Sequence, residues 1–176
     1  MKTVRERIIK RIIAQLETIT ISNGYHNDIG CGHIYRQEPI SEKKHPPAIS
    51  IWELSESRER NRYGGTVRIL NIKVEAIVQT NGLKHPATVS NELLGDIEKA
   101  LIIGDTTLDE LIDDIQDIAA EISHPLVDTE LSNLVLDATT EIISLPVKER
   151  KLAGATIDFE IKYTTEWGDP YSHIQW

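Results

Sequence analysis

The side chains best suited to chemistry in this sequence are carboxylates near its middle. Asp109, Asp113 and Asp117 recur every four residues, so on a helix they would lie along one face. A row of carboxylates could bind a divalent cation, and two-metal nucleases use such ligands. We favour an acidic stripe that faces solvent or a partner, because catalytic carboxylates usually converge from different elements. We therefore predict no metal site here.

A second candidate is the sequence Cys31-Gly32-His33, which could begin a thiolate–imidazole pair. No third orienting group accompanies it, so we interpret it as an ordinary strand edge. The sequence contains no glycine-rich phosphate loop with a lysine, no GxSxG and no HExxH. We predict that the protein is not an enzyme and uses no catalytic residues and no cofactor.

Composition narrows the class of protein further. A chain of 176 residues predicts a single domain, residues 1–176. Its net charge of −9 argues against a general nucleic-acid binder. No apolar run is long enough to span a membrane, and the N-terminus is not typical of a signal peptide. With one cysteine, no intrachain disulfide can form, and an intracellular place of synthesis is expected.

The charges are unevenly distributed along the chain. Residues 92–130 hold twelve acids and one base, Lys99, whereas residues 1–16 hold five bases and one acid, Glu6. Each run alone is typical of a solvated helix face. Together they permit self-association, in which the basic face of the first helix meets the acidic face of the next copy. Such a contact is heterologous, and heterologous contacts that close give rings.

Hydrophobic periodicity predicts the elements that position these residues. The helices are expected at about 3–18, with a Thr3–Glu6 capping box, at 86–101, opening at Pro86, and at 107–122. The expected strands are 29–35, 48–54, 66–79, 134–143 and 155–163. A loop is expected at 37–47, a mobile connection at 55–65, and turns at 148–151 and 168–170. A short tail with Tyr171 and Trp176 follows the last turn.

The order of these elements predicts the fold class. Strands and helices come in blocks, and the strands on either side of 55–65 predict an extended β-hairpin. This order favours an α+β fold, with a mostly antiparallel or mixed sheet of four to five strands and helices packed on one face.

The element order resembles that of a known family. The segments that carry the likeness are VRERIIKRIIAQL, PAISIWE, VRILNIKVEAIV, HPATVSNELLGDIEKAL, an acidic helix after it, and IDFEIKYTTEWGDPY. In this order the chain is similar to the tail terminator, or tail-completion, proteins of long-tailed bacteriophages, prophages and related phage-tail-like particles.

The resemblance implies a structural virion protein without an active site or cofactor. It implies an α+β subunit of a homohexameric ring that caps the tail tube, ends tube polymerisation and forms the head-docking surface. The implied partners are further copies, the tail tube protein and the head-side connector or neck protein. DNA would pass through the lumen without specific binding. The subunit would assemble in the host cytoplasm and end at the head-proximal end of the virion tail.

Several charged and aromatic residues are candidates for the oligomer interface or the lumen. They are Arg5, Arg7, Arg11, Asp109, Asp113, Asp117, Arg58, Arg60, Arg62, Tyr171 and Trp176. Two alternatives remain open. One is another neck or head-completion structural protein, and the other is an acidic metal-dependent enzyme that uses the Asp109–Asp117 face.

Overall fold

The computed structural model describes residues 1–31, 33–40, 46–80, 82–104, 108, 110–123 and 152–174. Its helices are α1, Val4–Leu16, and α2, Pro86–Glu98, which continues into a π-helical turn, Lys99–Ile103. Short 3₁₀ turns span Ile21–Asn23 and Ile29–Cys31. The strands are β1 His33–Arg36, β2 Ala48–Arg60, β3 Gly65–Gln79, β4 Asp114–Ser123, β5 Leu152–Glu166 and β6 Asp169–His173.

All of these strands belong to one mixed sheet. Its order is β1-β2-β3-β5-β4, and β6 also pairs with β5. The β1–β2 pair is parallel and the other pairs are antiparallel. The α+β class is thus confirmed, with six strands instead of four to five. The predicted hairpin of β2 and β3 is confirmed as well.

The core forms between the two helices and one face of the sheet. Leu70 pairs with Ile161 and Ile72 with Phe159, and all four side chains are fully buried. Alternate residues of β3 and β5 therefore point into the core, as period two requires. Helix side chains complete this single cluster; the largest contributors are Ile8, Ile9, Ile12, Leu16, Leu93 and Ile97.

Both helices begin as the sequence predicts. The Thr3 hydroxyl accepts a hydrogen bond from the Glu6 backbone N–H, which caps α1. In α2, Pro86 occupies the first turn, where its missing N–H costs no hydrogen bond, and His85 provides the cap. The helical stretch after α2 ends at Ile103, next to the predicted stop at Gly104.

The helix predicted at 107–122 is wrong, because β4 occupies Asp114–Ser123. Leu108 and Ile112 are buried, as that helix required, but Ile118 is 53% exposed. It lies at an irregularity where β4 shifts register against β5. The long flank of β5 supplies a full ladder of hydrogen bonds to this segment, and such tertiary pairing overrides helical periodicity.

The mobile connection predicted at 55–65 is also wrong. Strand β2 continues to Arg60, with a register shift between Glu53 and Glu56, and only a short turn separates it from β3. A polar segment forms a strand here because its backbone pairs with β3, while Arg58, Glu59 and Arg60 stay exposed and the side chain of Glu56 is buried against partners of its own.

The C-terminal segment departs from its prediction. The turn predicted at 168–170 is confirmed only at Gly168, which has a φ of +76° and lies in the reversal at Trp167-Gly168, and Tyr171 of the predicted tail lies in a strand. The chain then returns as β6, and Pro170 is tolerated there because β6 is a short strand at the sheet edge.

The remaining predictions meet the structure only in part. Strand 29–35 is replaced by a 3₁₀ turn at Ile29–Cys31 followed by β1. The loop at 37–47 has no helix or strand in its described residues, 37–40 and 46–47. Strand 134–143, turn 148–151 and residues 41–45 lie outside the described residues.

Candidate interaction surface

Two chain reversals lie side by side at one end of the sheet, the β2–β3 turn and the β5–β6 turn. Gly65 pairs with Glu166, and the backbone N–H of Trp167 donates to the Gly64 carbonyl at 3.0 Å. Within the first turn, Asn61 Oδ1 accepts from the backbone N–H of Gly65 at 2.8 Å. The two turns are therefore fixed relative to each other by backbone hydrogen bonds.

We call the side chains displayed there the tip surface: Arg58, Arg60, Arg62, Tyr63 and Trp167. Tyr63 is 79% and Trp167 63% exposed. The Arg60 guanidinium lies 4.1 Å from the centroid of the Trp167 ring, a cation–π contact. Arg58 contacts Glu56 Oε1 at 2.8 Å. Among the described residues, no carboxylate forms an ion pair with Arg60 or Arg62.

A second polar set lies along β2, nearer the middle of the sheet. We call it the ionic network; its members are Arg5, Glu6, Arg36, Glu53, Glu56, Arg68 and Tyr163. The pairing of Glu53 with Ile72 and of Glu56 with Leu70 puts both carboxylates on the core face. The register shift between these two glutamates allows both to face the same side.

Glu56 is the centre of this network, with a side chain only 3% exposed. It accepts a hydrogen bond from the Tyr163 hydroxyl at 2.6 Å and contacts Arg68 Nη1 at 3.4 Å and Arg5 Nη1 at 3.6 Å. Burial favours the neutral acid, but the bonds from Tyr163 and Arg58 outweigh it, so the pKa of Glu56 lies below its usual value. Burial, followed by the bond to Glu56, raises the pKa of Tyr163.

The rest of the network ties α1 to the sheet. Glu53 contacts Arg36 Nε at 2.6 Å and Arg5 Nε at 3.3 Å. The guanidinium of Arg36 also donates both Nη1 and Nη2 to Glu6, at 3.0 and 2.8 Å. Such bidentate pairs fix orientation as well as distance. The network therefore sets the position of α1 over β1 and β2.

Three of the predicted interface residues come together around β6 within one chain. Arg7 Nη2 donates to the Tyr171 carbonyl at 3.0 Å. Asp113 accepts from the Thr164 hydroxyl at 2.6 Å. Between them, burial lowers the pKa of His173, the charge of Arg7 adds to this, and the charge of Asp113 opposes it. These contacts join α1, the approach to β4 and the C-terminal strand.

Of the other predicted residues, Arg58, Arg60 and Arg62 lie on the tip surface and Arg5 lies in the ionic network, and the described remainder is not grouped with them. Arg11 follows Arg7 by one turn of α1, and Asp117 is exposed on β4. Asp109 and Trp176 lie outside the described residues. Because Asp113 precedes a strand and Asp117 lies within it, these two do not share a helix face. Cys31 is exposed, and the side chain of His33 is outside the described part.

Sequence reasoning missed Glu56, Arg68, Tyr163, Tyr63 and Trp167. The sequence does contain a signal for one member of the ionic network. Arg68 falls in the same alternation phase as Leu70 and Ile72, so a cation points to the apolar side of its strand. A charged residue in an apolar phase predicts a buried partner of opposite charge.

Two other findings concern metals and membranes. In the described ranges, no group of three His, Cys, Asp or Glu side chains is placed to hold a metal ion. Within the same ranges, neither helix is long and apolar enough to cross a membrane.

Comparison with known proteins adds no family to this description. No protein-family model and no curated protein sequence matches the chain. The tip surface and the ionic network are therefore interpreted from their own geometry.

Proposed function

We propose that this protein is a structural subunit that caps a phage tail tube as an oligomeric ring. In this proposal the ring ends tube polymerisation and presents the surface on which the head-side connector or neck protein docks. Its copies assemble in the host cytoplasm and remain at the head-proximal end of the tail. DNA passes through the lumen without specific binding.

The observation that carries the proposal is the tip surface. Trp, Tyr and Arg are the residue types most enriched where proteins bind each other tightly. Here two aromatic rings, Tyr63 and Trp167, are largely exposed beside arginines at one end of a long sheet. The backbone hydrogen bonds between the turns fix the backbone that carries these side chains before any partner arrives, which lowers the entropy cost of binding.

The element order gives further support. The N-terminal helix, the hairpin, the helix that opens at Pro86 and the closing strand all occur at the expected places. The departure is β4, which replaces the acidic helix of the resemblance. This change also removes the geometric basis of the metal-dependent alternative, since Asp113 and Asp117 no longer stack on a helix face. A neck or head-completion protein would be distinguished from a terminator by its binding partner, because only a terminator binds the tail tube.

The proposal is tested by the mass and shape of the purified protein, alone and mixed with tail tubes. Light scattering and negative-stain microscopy should show rings of about six subunits, or discs on tube ends. Discs that bind the connector but never the tube would instead support a neck subunit. A protein that stays monomeric and ignores tubes would overturn the proposal.

A further inference from the structure

We propose that the tip surface of one copy binds strand β4 of a second copy, through arginine–carboxylate pairs and aromatic contact. The inference rests on the proposed ring and names the two surfaces that join its subunits.

Strand β4 has the opposite charge to the tip surface. Asp114, Asp117 and Glu121 are all exposed on it, and it carries no basic residue. In the part of the chain that the structure describes, neither Asp117 nor Glu121 forms an ion pair. The register with β5 puts Asp117 opposite Phe159 on the core face and Glu121 opposite Thr156 on the other face, so a partner that meets both acids approaches along the edge of the strand. Ile118, at the register shift between them, is exposed as well.

β4 is also an edge strand in the described part of the sheet. Among the described strands it pairs only with β5, so its outer backbone groups face away from the sheet. An edge strand of this kind is accessible to another chain, and its charged side chains select which chain approaches.

The two surfaces cannot neutralise each other within one chain. Asp117 pairs with Phe159 of β5, whereas the tip begins at Glu166 of the same strand. These positions are about 24 Å apart at ~3.4 Å per residue along an extended strand. An ion pair spans a few ångströms, so Arg60 and Arg62 can meet Asp117 and Glu121 only on another molecule.

The side-chain chemistry of the tip fits a carboxylate partner. Arginine presents a planar fork that binds carboxylates through two hydrogen bonds, and Arg60 is already oriented by the Trp167 ring. Glu56 pairs with Arg58, and Glu59 and Glu166 are the exposed acids nearby. Among the described residues, neither exposed acid forms an ion pair with Arg60 or Arg62, and the net charge of −9 argues against nucleic acid as the partner.

A contact between two different surfaces is heterologous, so each copy offers one surface to each neighbour. Repetition of the contact gives a closed ring when the rotation between copies closes. The inference thus gives one interface to arginines and acids that form no ion pair within the described residues.

Two charge-reversal variants test this contact by complementation. R60E/R62E makes the tip acidic, and D117K/E121K makes β4 basic. Each variant alone should associate at least tenfold more weakly than the wild type, since like charges then face each other. In an equimolar mixture, each altered surface meets its complement, and association should return. The control K2E/K10E makes the same change in net charge as R60E/R62E, but at the start of the chain and on α1, and should associate like the wild type.

Sedimentation with and without tail tubes separates the outcomes, and circular dichroism verifies that each variant folds. If the wild type forms rings or tube caps and the reversed variants do so equally, the contact is wrong while the proposed function stands. Lost association without recovery in the mixture overturns the pairing of these two surfaces. A wild type that never associates overturns both. Tip-dependent binding of a fluorescent single-stranded oligonucleotide, with no association of copies, would instead identify a nucleic-acid surface.

Discussion

The arginines of the ionic network and the arginines of the tip surface differ in what surrounds them. Arg36 and Arg68 lie against carboxylates on the core side of the sheet, and their contacts fix α1 and the hairpin. Arg60 and Arg62 project from the end of the same hairpin, where no described carboxylate forms an ion pair with them. The arginines on the core side of the sheet therefore have a structural role, whereas those at the turn of the hairpin have the binding role that we propose.

The largest effect should come from removing the centre of the network. E56A leaves Arg68, whose side chain is 9% exposed, and the more exposed Arg5 and Arg58 without their shared carboxylate. Removing one partner of a buried ion pair costs about 3 kcal/mol or more of unfolding free energy. Urea unfolding at neutral pH measures this loss. The matched control is E59A, an exposed glutamate three residues along β2, with a change of about 0.5 kcal/mol or less. Equal losses for E56A and E59A would contradict a structural role for the network.

A smaller effect is expected when only one donor is removed. Y163F keeps the buried ring but deletes the hydroxyl that donates to Glu56 at 2.6 Å. A hydrogen bond to a charged group is worth roughly 2 kcal/mol, and the loss should appear in the same urea titration. Y171F removes a hydroxyl from a tyrosine that is 43% exposed and should change stability little. In the E56A background Y163F should cost less than in the wild type, because its acceptor is already gone.

Acid should weaken the network in a defined pH range. The pKa of Glu56 is lowered in the folded state, so its contribution is present above about pH 4.5 and is lost as pH falls through the folded pKa. His173 should cause a separate loss of stability that begins at a higher pH. Burial lowers its pKa below 6.5, so the unfolded chain takes up the proton first and stability begins to fall below about pH 6.5.

Thermal unfolding across pH 3 to 8 separates these two steps. H173Q should remove the loss that begins below about pH 6.5 and leave the acid step unchanged, while E56Q should reduce the acid step. An H173Q profile that overlays the wild type would show that His173 does not titrate differently on folding.

The sequence predicts correctly those elements that are stabilised mainly by contacts between residues close together in the chain. α1, α2, β3 and β5 have strong periodicity with caps or turns, and local pattern determined them correctly. For β4 the apolar spacing fits a helix, and only the free flank of β5, distant in sequence, makes the strand more stable. The same limit applies to the candidate site. Exposure of Arg58, Arg60 and Arg62 follows from their polar surroundings, but the approach of Trp167 depends on register across three strands.

The smallest effect on stability should come from the tip, and this sharpens the contrast with the network. R60E/R62E alters two exposed side chains, so its unfolding free energy should stay within about 0.5 kcal/mol of the wild type. The loss of the Arg60–Trp167 contact accounts for most of that change, because an exposed cation–π pair is worth about 0.5 kcal/mol. Urea unfolding at a protein concentration below the onset of association measures it. The same variant is expected to lose association while its stability is kept. E56A is instead expected to lose unfolding free energy. A large destabilisation by R60E/R62E would instead place the tip arginines in the structural class of Arg36 and Arg68.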